Sequence, residues 1–278
     1  MNQVWFVTGA GRGIGAHIAR AALQAGHLVV ATGRKLEALR AAYADVAPEN
    51  IALVELDVSS EAQAQAAVQA AVDRFGRIDV LVNNAGYGQL GYFEEISASA
   101  IERQFATNVF GLMHVLRAAL PVMRRQRAGH IFNLSSIGGT LGFEASSIYC
   151  ASKFAVEGLS ASVALEVARF GIKLTVVEPG FFRTDFLDGS SIRYGDLALD
   201  GYGDAGAARD TYETYNHRQA GDPARLGSAL VQLAGMAEPP KQFLAGSDAV
   251  AIVGDALQER LAGIRTFAGL SRSTDGEF

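Results

Sequence analysis

Val4-Trp5-Phe6-Val7 runs straight into Thr8-Gly9-Ala10-Gly11-Arg12-Gly13-Ile14-Gly15. A helical pattern then passes through Ile18, Ala21, Ala22 and Ala25, and Gly26 ends it. The short, β-rich apolar run reads as a buried strand. Strand, glycine turn and helix together form the context a phosphate-binding loop requires. The glycines let backbone approach a pyrophosphate, and the helix N-terminus offers free N–H groups and a partial positive charge. The spacing is G-x-x-x-G-x-G (Gly9, Gly13, Gly15), not the commoner G-x-G-x-x-G. A tight βα turn that binds nothing is the competing reading.

Apolar runs and helical patterns alternate onward. Leu28 to Thr32 reads as a second strand and ends in Gly33-Arg34-Lys35. Dinucleotide folds often place an acid there to hold the adenosine ribose. With no carboxylate to repel a 2′-phosphate, the guanidinium of Arg34 is free to pair with one, and Arg12 can reach the same group. Both favour NADP(H) over NAD(H); two solvated arginines are the bland alternative. Ile51 to Leu56, a third strand, leads to Asp57-Val58. Asp57 is either an acceptor for an adenine amino group or part of the cap of the next helix. Ile78 to Val82 runs into Asn83-Asn84-Ala85-Gly86, where doubly wound sheets place ligands.

Ser99 and Glu102 have capping-box spacing, and the helix they open extends to about Arg125. Asn108 lies in its middle, a poor helix former on an apolar face. His130 to Leu134 is a fifth strand, followed by Ser135-Ser136 without the G-x-S-x-G of a hydrolase elbow. The next helix carries Tyr149-Cys150-Ala151-Ser152-Lys153. Residues four apart share a helix face, so an ammonium stands beside a phenol. The free phenol has a pKa of about 10, and a nearby cation lowers it. Alone, that spacing is common. Lys173 to Val177 is a sixth strand and leads to Glu178-Pro179-Gly180.

Asp185 to Asp222 is the least regular stretch, and segments of that length inside a domain are functional lids or mobile loops. Phe186, Leu187, Tyr194, Tyr202, Tyr212 and Tyr215 are its candidates for covering an apolar substrate; a solvated insertion is the alternative. A helix opens at Asp222-Pro223, Gln242 to Ala245 forms a short last strand, and Val250 to Ile264 is amphipathic. Neither a repeat nor a linker divides the 278 residues, so one domain is expected.

Composition narrows the function classes. With 49% hydrophobic residues the chain can bury a substantial core. Its net charge of −5 disfavours nucleic acid. Cys150 is the only cysteine, so neither an internal disulfide nor a cysteine metal cluster is available, which fits a reducing cytoplasm. The N-terminus shows no basic segment or cleavage site of a signal peptide. No apolar run approaches the ~20 residues of a membrane span, and no membrane partner is expected.

Taken in order, these residues resemble the short-chain dehydrogenase/reductases over nearly the whole chain. Thr8-Gly9-x-x-x-Gly13-x-Gly15 matches the family's cofactor loop, and Asn83-Asn84-Ala85-Gly86 its structural motif. Asn108, Ser136, Tyr149 and Lys153 match its catalytic four, with Ser136 thirteen positions before Tyr149. Pro179-Gly180-x-x-x-Thr184 matches its nicotinamide-side motif. The resemblance implies a Rossmann-type α/β domain, a doubly wound parallel sheet of about seven strands with helices on both faces. It implies an oxidoreductase acting on a carbonyl or secondary alcohol. Tyr149 would be the general acid/base, Lys153 would lower its pKa and hold the nicotinamide ribose, and Ser136 would donate to the substrate oxygen. Asn108 would hold a water linking Lys153 to solvent, and Thr184 would bond the nicotinamide carboxamide. The cofactor is expected along Gly9, Arg12, Gly13, Ile14, Gly15, Arg34, Asp57, Val58, Asn83, Asn84, Gly86, Tyr149, Lys153, Pro179, Gly180 and Thr184. No metal is implied. By the same analogy the protein is expected to be a homodimer or homotetramer.

Overall fold

A computed structural model describes residues 2–189, 191–198, 209, 212, 214, 216 and 218–276. Tyr202 and Tyr215, two aromatics expected in the lid, lie outside the described residues.

Seven strands form one parallel sheet: β1 (Val4–Val7), β2 (Leu28–Gly33), β3 (Ile51–Glu55), β4 (Val80–Asn83), β6 (Gly129–Leu134), β7 (Ile172–Pro179) and β9 (Gln242–Ala245). Their order is β3-β2-β1-β4-β6-β7-β9. β1 is buried at all four residues. Its side chains alternate between two cores: Val4 and Phe6 join one, Trp5 and Val7 the other. A strand covered on both faces is apolar throughout, which is why the sequence shows a run there and not an alternation. The first core packs beneath α3 (Glu61–Phe75), α5 (Leu112–Gln126) and α6 (Ser147–Val167), through Ala67, Leu116 and Val156 among others. The second packs beneath α1 (Gly13–Gln24) and α7 (Pro223–Ala234), through Ile18 and Leu230. Helices α1 and α7 cross closely because Gly227 faces the carbonyl of His17, where a Cβ would stand 2.7 Å from that oxygen.

The chain reverses its direction of winding at β1, whose neighbours are β2 and β4. Helices on opposite faces diverge there, leaving a crevice at the carboxyl ends of the strands. A two-stranded parallel ribbon closes over it, pairing β5 (Gly88–Gln89) with β8 (Ile192–Arg193). The ribbon ties the irregular stretch after Asp185 to the loop after β4, so part of that stretch is an ordered cover.

The helix expected from Ser99 departs from expectation in three ways. Ser97, not Ser99, caps it, accepting from the Ala100 amide. Ser99 instead bonds Arg103 and Ser97. The helix begins as α4 (Ala98–Phe105), passes through a π-helical segment (Ala106–Gly111) and continues as α5. Asn108 sits in that segment, and π-bulges of this kind are frequent at functional sites. Thirdly, Ala98–Gln126 as a whole is long and apolar enough to cross a membrane by length and composition. Leu112, Val115, Leu116, Ala119 and Met123 instead face the protein core. The last helix, α8 (Ser247–Arg272), is longer than its amphipathic pattern predicts.

Candidate active site

A cleft of about 1060 Å³ lies along the carboxyl ends of the strands. One end is bordered by Gly9, Arg12, Gly13, Ile14, Arg34, Asp57 and Val58, the other by Ser136, Tyr149, Lys153, Pro179 and Thr184. That volume sits at the top of the range for ligand sites, consistent with a dinucleotide and a substrate together.

The glycine loop is shaped by close contact. Gly9 and Gly13 have φ of +65° and +55°, conformations glycine adopts at little cost. Gly15 does not border the cleft; a Cβ there would collide with the Gly9 carbonyl and the Asn84 amide. Asn84 staples the loop from β4: its Nδ2 donates to the carbonyls of Thr8 (2.8 Å) and Gly9 (3.2 Å). The first turn of α1 has no side-chain cap and no acidic residue. Its N–H groups and positive helix end are therefore suited to a pyrophosphate. The same wall carries Arg34 and Lys35, with no acid between them and β2. Arg12 borders the cleft too, and its Nη2 donates to Ser191 Oγ at 2.6 Å, linking the glycine loop to the cover. These features fit a dinucleotide.

Asp57 lines the cleft and accepts from the Ser59 amide and hydroxyl. Ser60 is the capping residue of α3, and Asp57 belongs to the region leading into that cap, its amide donating to Gln63 Oε1 in the first turn. Asn83 points elsewhere: its Nδ2 donates to Asn133 Oδ1 at 2.8 Å within the sheet. Of the paired asparagines only Asn84 reaches the cleft.

At the other end, Tyr149 and Lys153 stand on the face of α6 that meets the end of β6. Lys153 is 8% exposed and its Nζ donates to the Leu134 carbonyl at 2.8 Å. Ser136 Oγ accepts from the Gly138 amide at 3.1 Å, and both Ser136 Oγ and the Tyr149 ring lie 3.5 Å from where a Cβ on Gly138 would stand. Burial pushes Tyr149 up to about 12, with Ser136 opposing it. Burial likewise pulls Lys153 down to about 8. Desolvation is the largest influence on both groups, and the Lys153 ammonium is turned to the Leu134 carbonyl. Phe186 from the cover stacks obliquely on Tyr149, with ring centroids 5.9 Å apart.

Asn108 does not border the cleft. It clamps Tyr87, accepting from its amide (3.1 Å) and donating to its carbonyl (3.0 Å), and it also donates to Ser152. Ser152 in turn bonds the Tyr149 carbonyl. Asn108 therefore ties the loop after β4 to the turn of α6 that carries Tyr149. Gly86 packs against it, where a Cβ would stand 3.1 Å from Asn108 Oδ1.

Two carboxyls escaped the sequence reading. Glu157, one turn beyond Lys153, has a buried Oε1 without a hydrogen-bond partner among the described residues. Burial pushes Glu157 up to about 7. Glu178, fully buried at the end of β7, accepts from Thr140 (2.6 Å) and from Gln242, and burial raises it too. The i, i+4 spacing of Lys153 and Glu157 was visible; the burial was not. Of the expected cover residues, Phe186, Leu187, Tyr194 and Tyr212 border the cleft. Thr184 also does, capping a short turn through the Phe186 amide. Gln219 is a further lining residue that no motif flagged.

A cleft at the switch point of a doubly wound sheet, with a glycine loop at one end and a serine–tyrosine–lysine group at the other, defines a nicotinamide-dependent oxidoreductase. The family model for short chain dehydrogenases matches residues 3–193, and the chain belongs to that family. Oxidoreductase BOA17 of Botryotinia fuckeliana is 39% identical over 93% of this chain and 94% of its own. A 3-ketodihydrosphingosine reductase of Bacteroides thetaiotaomicron is 36% identical over 86% of each chain. The structure of a short-chain dehydrogenase from Streptomyces avermitilis superposes with a TM-score of 0.91 at 36% identity, covering 99% of this chain and 100% of that one. A Burkholderia phymatum member in complex with NAD has a TM-score of 0.81 at 26% identity, covering 100% and 98%. ElxO with NADP bound has a TM-score of 0.72 at 28% identity, covering 87% and 96%. Solved relatives therefore hold nicotinamide cofactors of both kinds.

Proposed function

We propose that the protein is an NADP(H)-dependent reductase or dehydrogenase for a bulky, apolar carbonyl compound or the corresponding secondary alcohol. The observation that carries this reading is the placement of Ser136 and Tyr149 together on the cleft wall with Lys153 buried beside them. The bound nicotinamide supplies or accepts the hydride. Tyr149, held protonated by burial, gives its proton to the carbonyl oxygen in reduction and takes one from the alcohol in oxidation. Ser136 donates to the same oxygen and aligns it. Lys153 holds the ribose hydroxyls and adds positive charge near the phenol. Asn108 acts as a clamp on Tyr87 and α6. Arg34 and Arg12 receive the 2′-phosphate, and the carboxylate-free end of β2 supports that choice over NAD(H). Leu90, Phe143, Phe186 and Leu187 line the substrate end and favour an apolar body. A relative named a 3-ketodihydrosphingosine reductase supports a carbonyl substrate.

A homo-oligomer through the Asn108 and Tyr149 helices is part of the proposal, supported by exposed Phe110, Phe154 and Leu165 on them. The deciding assay follows NADPH oxidation against a panel of apolar ketones, with Tyr149→Phe as control. Turnover by the wild type and not by the variant is expected. A variant with near-normal turnover refutes the role of Tyr149.

A further inference from the structure

We infer that Glu157 is a positioning residue for the reaction: from one helical turn behind Lys153, its carboxylate keeps the Lys153 ammonium charged. Residues four apart on a helix share a face, and Lys153 and Glu157 are so placed on α6. The ammonium donates to the Leu134 carbonyl at 2.8 Å, so the carboxylate acts on it through charge. Lys153, Ser135 and Ser136 border the cleft; Glu157 stands behind them. Its influence on substrate and cofactor therefore passes through those groups.

The carboxyl is set against the back of the turn that carries Ser136. A Cβ on Gly139 would collide with Ser135 Oγ and stand 3.1 Å from Glu157 Oε1. Glu178, the second carboxyl behind this turn, is differently held. Its two oxygens accept from Thr140 (2.6 Å) and from Gln242, bonds that favour its charged form. Burial, and then the charge of Glu178, raise Glu157 to about 7. Glu157 thus ionises just below the range in which Lys153, pulled down to about 8 by burial, gives up its own proton. The new negative charge opposes that loss, and Lys153 stays an ammonium as pH rises past neutrality.

The other titratable groups around the pair are Tyr149 and Cys150 on α6, Glu178 on β7, Asp248 and Arg260 on α8, and Tyr212 from the cover. Burial raises Tyr149, Cys150 and Tyr212 and so keeps them neutral near pH 7. Asp248 accepts from the Phe181 amide at 2.7 Å, and Arg260 faces the Thr140 carbonyl at 3.5 Å. Of these charges, that of Glu157 is the one that bears on Lys153. The inference rests on the role given to Lys153 above.

The test is carbon-13 NMR of the full-length protein labelled at the lysine ε-carbons, one signal for each of Lys35, Lys153, Lys173 and Lys241. Loss of a signal in Lys153→Arg identifies that of Lys153. In Glu157→Gln the Lys153 midpoint is expected to fall by about one pH unit, as removal of a neighbouring opposite charge requires. In the wild type the same signal is expected to show a second, smaller step near pH 7, where Glu157 gains its charge. That step is read without any variant. In ketone reduction by Glu157→Gln, the alkaline fall of kcat/KM is expected to begin at lower pH by a similar amount. An unchanged Lys153 midpoint overturns the inference, as does a wild-type signal without the second step. A loss of kcat/KM equal at every pH, the mark of a purely structural role, also overturns it. The NMR titration is independent of turnover, so failure here is distinct from failure of the Tyr149 assay.

Discussion

The ammonium of Lys153 lies 5.8 Å from the centre of the Tyr149 ring and donates instead to the Leu134 carbonyl at 2.8 Å. The lysine is thus anchored to the end of β6, and desolvation governs both groups. Tyr149 at about 12 is protonated near neutrality, the state that reduction needs. Oxidation needs the phenolate. Ketone reduction is therefore expected to be flat across about pH 6 to 7.5, while alcohol oxidation climbs with pH through 8 and beyond. Initial rates in both directions at saturating cofactor check this. Oxidation that is level through the alkaline range contradicts it.

Tyr149→Phe removes the transferable proton and little volume. Turnover is expected to fall by about 10²–10⁴-fold, the usual worth of a positioned acid or base. NADPH affinity, read by fluorescence titration, stays within a few-fold of wild type.

Arg34 borders the adenosine end of the cleft, just beyond β2, which ends in Gly33 and not in an acid. A charge-assisted bond to phosphate contributes about 1.5–3 kcal/mol, so Arg34→Ala weakens NADPH by about tenfold or more and leaves NADH nearly unchanged. Parallel titrations with the two cofactors decide. Equal losses remove Arg34 from cofactor selection.

Gly15→Ala tests the loop itself. A Cβ there meets the Gly9 carbonyl and Asn84 Nδ2, neither of which moves without breaking the staple to Thr8. Overpacking of this kind costs about 1–3 kcal/mol. A lower melting temperature and weaker NADPH binding are both expected. Unchanged values in both measurements show that the loop tolerates the side chain.

Glu157 gives stability a pH dependence. Its carboxyl is raised from the ordinary value to about 7 by burial, with the Glu178 charge adding to the rise. A raised folded pKa means that the protonated form favours folding: the contribution is complete below the unfolded value and is lost as pH rises through about 7. Glu157→Gln keeps the shape without the charge. Its melting temperature relative to wild type is expected to increase between about pH 5 and 8, by a few degrees. A pH-independent difference shows that Glu157 titrates alike in both states.

Much of this molecule was legible in the chain. The strand–glycine–helix run at Val4 to Gly26 specified the nucleotide end, because glycine spacing and buried-strand patterning are local properties. Tyr149 and Lys153 were found by helical spacing, and Ser136 by the resemblance and its place at a strand end. Other residues misled. Ser99 offered capping-box spacing, but the bonds from Ser97 to Asp196, far along the chain, place the cap two residues earlier. Asn83 looked equivalent to Asn84, yet strand alternation turns it into the sheet toward Asn133. No motif predicts the bonds that the Asn108 side chain makes from the π-helical segment to the Tyr87 backbone and Ser152.

Resemblance to the short-chain dehydrogenases implied the parallel doubly wound sheet and singled out Ser136; by itself the sequence determined the order of elements, the glycine loop and the Tyr149–Lys153 pair. Those follow from periodicity, turn chemistry and spacing, all carried within a few consecutive residues. Tertiary structure alone decided which polar groups are desolvated and which are paired. It raised Tyr149 and Glu157, lowered Lys153, turned Lys153 to Leu134 and tied Arg12 to Ser191. Burial and hydrogen-bond pairing depend on segments distant in the chain, so no local pattern encodes them.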